Sequence, residues 1–197
     1  MKPVADVAAF VLDRALGLAD RRHLGADVFG RRFKGAFADQ ADERFDDLFR
    51  RAKDAYPIVG EKTSAYLNWR YTTCPTAKFT YFCLTERKTG RLSGFVVYTV
   101  RGNKAFVADA FTESIDETLP HLLVRFGSAA RHARYDSIFV AYAGMSAFSK
   151  KIEELDFLKR DFARPFVSSA QQDLSPTQRA AVGNLQNWFL FDGELDL

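Results

Sequence analysis

Residues 79–112, FTYFCLTERKTGRLSGFVVYTVRGNKAFVADAFT, constrain the fold more than any other stretch of the chain. In the first apolar run Phe79, Tyr81 and Cys83 alternate with Thr80, Phe82 and Leu84. Lys88-Thr89-Gly90 makes a turn into a second run over residues 91–100. Arg101-Gly102-Asn103-Lys104 then closes a hairpin into a third run over residues 105–112. Both faces of these runs are apolar, which predicts a sheet covered on both sides.

What lies on either side decides what covers it. Upstream, residues 4–19 carry an apolar helical stripe through Val4, Val7, Ala8, Val11, Leu12 and Ala15. Residues 21–34 are broken by Gly25 and Gly30 and read as a basic loop or short strand. Asp39 or Asp42 caps a helix carrying Phe45, Leu48, Phe49 and Ala52, which must stop before Pro57. Thr63 or Ser64 caps a short helix through Tyr66, Leu67, Trp69 and Arg70.

Downstream, residues 116–135 read as a helix with Leu119, Leu122, Leu123, Phe126 and Ala130 inward; Pro120 is tolerated in its first turn. Residues 137–143 form a buried strand, residues 146–157 a helix, residues 162–168 a strand and residues 187–191 a last strand, with residues 170–183 a polar excursion between them. Helices, a three-stranded meander, a crossover helix and further strands make the chain α+β, with a mostly antiparallel sheet and one parallel pair across the helix. Residues 1–60 are expected as an N-terminal helical segment and 61–197 as the α/β domain, or the two as one continuous domain.

Composition narrows function by exclusion. The 19 Phe point to a core filled by rings, and a net charge of +3 is too small to imply a nucleic-acid partner. Arg21, Arg22, Arg31, Arg32 and Lys34 form a basic cluster, but neighbouring acids dilute it. No signal peptide or membrane span is read, so the expected place is the cytoplasm, with Cys74 and Cys83 reduced. His121 and His132 stand about three helical turns apart, roughly 16 Å, and cannot share a metal.

The element order resembles the GNAT acyltransferase fold. Tyr66-Leu67-Asn68-Trp69-Arg70-Tyr71, Gly94-Phe95-Val96-Val97, Val107-Ala108-Asp109 and the terminal Trp188, Asp192 and Asp196 carry the likeness. They are similar to pieces of GNAT-like proteins found with bacterial exopolysaccharide and cell-envelope genes. Such relatives are commonly longer, with this region as one half. The resemblance implies N-acylation of an amino sugar or other envelope precursor, with acetyl-CoA or another acyl-CoA as donor. It places Asp109 as the general base with Glu113 beyond it, Trp69, Arg70 and Tyr98 at the substrate, and Val107, Ala108 and Ala110 along the acyl-CoA. For Asp109 the alternative is a structural hydrogen bond or a solvated strand end, and for Trp69 and Arg70 ring packing on the sheet and an ion pair.

Two departures pull the other way. The family's glycine-rich phosphate turn is replaced by residues 112–118, TESIDET, with no glycine and three carboxylates. The tyrosine expected to protonate the leaving thiolate aligns with Ile152. Tyr98, Tyr142 and Ser146 are its candidate replacements. A second expectation is therefore a non-catalytic GNAT-like domain used for protein interaction or substrate recognition, as a homodimer or with a partner domain.

Overall fold

The computed structural model describes residues 22–27, 31–160 and 174–194. The architecture is α+β. Strand β1 (Phe33–Ala38) is followed by helix α1 (Glu43–Ala52), strand β2 (Ile58–Val59) and the short helix α2 (Ser64–Leu67). The meander is β3 (Phe79–Glu86), β4 (Leu92–Arg101) and β5 (Lys104–Thr112). Helix α3 (Thr118–His132) crosses to β6 (Ser137–Val140) and β7 (Tyr142–Gly144). Helix α4 (Ser146–Glu154), helix α5 (Pro176–Gly183) and strand β8 (Trp188–Phe191) complete the described chain.

Five strands pair in the order β1-β3-β4-β5-β6, antiparallel except for β5 and β6, and a smaller sheet runs β2-β8-β7. The two meander turns work because Gly90 and Gly102 take φ of 74° and 59°, where a side chain is disfavoured. Both faces are covered, as expected. On one, Phe45 of α1 meets Tyr81 and Phe95, and Phe49 meets Phe111. On the other, Phe126 of α3 meets Phe82 and Tyr98. Asp42 caps α1 through Arg44 N, and Thr63 caps α2 through Tyr66 N.

The short strand expected within residues 21–34 begins at Phe33 and runs on to Ala38 as an edge strand, where a Cβ on Gly35 would lie 2.5 Å from the Phe82 ring. Three local expectations are corrected. Residues 176–183 are helical, started by Pro176 and a reciprocal Ser175–Gln178 capping box. The strand expected over residues 137–143 breaks at Ala141, so its first part pairs with β5 and its second with β8. The short helix at residue 64 widens into a π-turn over Asn68–Thr72, which buries Tyr71 and leaves Trp69 66% exposed. The expected helix at residues 4–19 and strand at 162–168 lie outside the described residues. The boundary expected near residue 60 falls between β2 and α2, and the residues before it supply a strand to each sheet.

Candidate functional site

Strands β5 and β6 run side by side only from Lys104 to Val107 and from Ser137 to Val140. Beyond Val107 they part, because β7 turns away to pair with β8. A bulge sits at this fork: Val97 opposes Asp109 while Tyr98 opposes Val107, so Ala108 is the extra residue. Simple alternation would put Asp109 on the face of Ala105 and Val107. The bulge turns it to the opposite face, with Phe111 and the α1 side of the sheet.

There Asp109 is fully buried and paired. Lys62 Nζ lies 2.9 Å from Oδ1 and 2.8 Å from Oδ2, and the Tyr71 hydroxyl donates to Oδ2 at 3.3 Å. Lys62 also reaches Glu194 Oε1 at 2.6 Å. Neither Lys62 nor Asp109 has any exposed side-chain surface, and Glu194 has 7%. Burial pushes the Asp109 carboxyl up to about 7; Lys62 opposes that rise and Glu194 adds to it. Burial works to lower the pKa of Lys62, but Asp109 and Glu194 outweigh it and the net shift is upward. Tyr71 is raised by burial and by the neighbouring Asp109.

Local structure explains how three distant residues meet. Lys62 immediately precedes the Thr63 cap, and Asp46 fixes that corner by accepting from Ser64 N and Ser64 Oγ at 2.7 and 2.8 Å. The π-turn swings Tyr71 inward. Glu194 ends a tight turn, Asp192–Glu194, whose Oε2 accepts from Phe191 N at 2.9 Å. That turn fills the fork. Asp192 N donates to Ala141 O at 3.2 Å, and Arg70 Nε donates to Gly193 O at 2.8 Å. A Cβ on Gly193 would sit 2.6 Å from Ala108 O and 2.7 Å from the Tyr71 hydroxyl.

The residues expected to act together are thus separated. Asp109 joins Lys62, Tyr71 and Glu194. Glu113 lies outside that cluster, half-buried, at 2.5 Å from Arg51 and 3.4 Å from Arg91. Tyr98 is buried on the other face of the sheet against Phe126 and Tyr135. Trp69 projects to solvent beside Tyr66, and Arg70 Nε donates to the Gly193 carbonyl. Val107, Ala108 and Ala110 are all buried, with Ala108 covered by Gly193. Tyr142 packs on Phe148, Ser146 begins α4, and Ile152 rests against the core. Lys62 and Glu194 escape sequence reasoning, since their partners lie 47 and 132 positions away.

The start of α3 is also spent internally. The amides of Thr118 and Leu119 donate to Ser114 O, and that of Glu117 to Ser114 Oγ. Pro120 has no amide proton to offer. Among the described residues no cluster of His, Cys, Asp or Glu is able to hold a metal, and no helix is long and apolar enough to cross a membrane. No family model matches this chain, and no curated protein matches it.

Proposed function

We propose that this chain is a GNAT-like domain of the cytoplasm that serves protein interaction or substrate recognition rather than acyl transfer. The observation that carries this reading is the turn at Asp192–Glu194, which occupies the fork between β5 and β6 and covers Ala108 and Asp109. A fork of that kind is where the GNAT resemblance would lay an acyl-CoA. The first turn of α3, where a pyrophosphate would need free amides, directs those of Glu117, Thr118 and Leu119 to Ser114. For recognition, Trp69 offers a large exposed ring backed by Tyr66 at 5.8 Å, the kind of aromatic group enriched at interfaces.

A second reading, N-acylation of an amino sugar or envelope precursor, rests on the raised Asp109 carboxyl, whose affinity for a proton near neutrality suits a base. Thermal unfolding with millimolar acetyl-CoA and longer acyl-CoAs, alongside assay of released CoA thiol with amino-sugar acceptors, separates the two. The interaction reading expects no stabilisation and no thiol. Stabilisation with turnover that disappears in Asp109→Asn overturns it in favour of the enzyme.

A further inference from the structure

Lys62 and Asp109 hold a primary amine against a carboxyl group in a place sealed from solvent. The Nζ is within 2.9 Å of both carboxyl oxygens, and the Glu194 carboxylate touches the same nitrogen at 2.6 Å. In water such a pair does not condense, because both groups ionise and mass action favours hydrolysis. Here water is excluded and burial opposes both charges; for Lys62 the two carboxylates outweigh that opposition, so the neutral pair is a minor state, and it is the held contact geometry that lets it react. Well-oriented neighbours react as though at effective concentrations of about 10⁵–10⁸ M. Both groups are also held by elements that differ in kind: the corner ahead of α2 and the bulge of β5.

We propose that Lys62 and Asp109 condense within the folded chain to an isopeptide bond, with Glu194 carrying the proton. A proton passes from the Lys62 ammonium to Asp109, giving a neutral amine and a neutral acid. The Nζ lone pair attacks Cγ of Asp109 while Glu194 takes a proton from Nζ. The Tyr71 hydroxyl, aimed at Oδ2, stabilises the charge that develops on oxygen. Glu194 returns its proton to the departing hydroxyl, the Cγ–O bond breaks, and one water leaves. Glu194 ends ionised as it began, no electron is transferred to or from any other group, and no cofactor is consumed. The product replaces a buried ion pair by an amide whose N–H faces Glu194, and it ties residue 62 to β5. The step is independent of the recognition reading, and its completion removes the carboxylate that the enzyme reading needs.

Mass spectrometry of the full-length folded chain, followed by denaturation and peptide mapping, tests the bond directly. The expected intact mass is one water below that of the sequence. The tryptic map then shows a branched peptide joining Lys62 to Asp109, with no cleavage after Lys62. Lys62→Arg and Glu194→Gln retain the full mass, whereas Asp109→Asn loses one ammonia and gives the same branched product. A native chain at full sequence mass with Lys62 cleaved overturns the proposal, and so does a lost water without the branched peptide, as a succinimide at Asp109 would give. Water lost as completely in Glu194→Gln overturns the role of Glu194. Both decisive readings come from the unmutated protein, so they stand even where a variant fails to fold.

Discussion

Asp109 and Glu113 stand four positions apart at the end of one strand, and each sits in an ionic cluster, but burial makes the clusters different objects. Around Asp109 the charges have no exposed side-chain surface beyond the 7% of Glu194. Around Glu113, the partners Arg51 and Arg91 retain 23% and 42% of their side-chain surface. An ammonium with two carboxylates in a dry place is costly to assemble and costlier to break, since removing one partner strands the others. The outer cluster keeps water as an alternative partner, so it gains and loses little. The inner cluster positions Glu194, and with it the turn that fills the fork; the outer one joins α1 to the end of β5.

The largest expected effect comes from Lys62→Met, which strands the buried Asp109 and Glu194 carboxylates whether the pair in the unmutated chain is ionic or condensed. Denaturant unfolding should show a loss of about 3–5 kcal/mol. Next is Gly193→Ala, whose methyl meets the Ala108 carbonyl and the Tyr71 hydroxyl; overpacking of this kind costs about 1–3 kcal/mol. Glu113→Gln should cost about 1 kcal/mol or less in the same measurement. A loss for Glu113→Gln as large as that for Lys62→Met would erase the distinction between the clusters.

The smallest effect is a slope rather than an offset. A hydrogen bond from Arg51 holds the Asp47 carboxyl below its usual range. Its contribution is therefore present above the unfolded value and lost as pH falls through the lower folded one. Asp47→Asn should make the acid limb of the stability curve shallower below about pH 4, with a small loss of stability at neutral pH that vanishes in acid.

The sequence shows the meander plainly, because Gly90, Gly102 and the alternating apolar residues each signal their own position. It shows α3 equally well through its leucine stripe. Strand β1 is only half legible, as loop or short strand ending at Lys34, since an exposed edge containing Gly35 and Lys34 has no inward alternation to display. Helix α5 was within reach: Ser175-Pro176-Thr177-Gln178 is a helix start in itself, and only its polar surroundings mask it. The candidate site divides the same way. Asp109 stands out as a carboxylate in an apolar strand, but a one-residue bulge at Ala108 decides which way it faces. Lys62 and Glu194 look like ordinary surface charges, and only the tertiary fold gives them a partner.

The central claim is that the turn at Asp192–Glu194 is built into the fork as part of the fold and is not a lid over an open site. Native-state amide hydrogen exchange at Phe191 and Asp192, whose N–H groups donate to Glu194 and to Ala141, tests it most directly. The account predicts exchange as slow as that of the central strand β4, governed by global unfolding and sensitive to denaturant to the same degree. Exchange at these two amides through a local opening, fast and insensitive to denaturant while β4 stays protected, would contradict it.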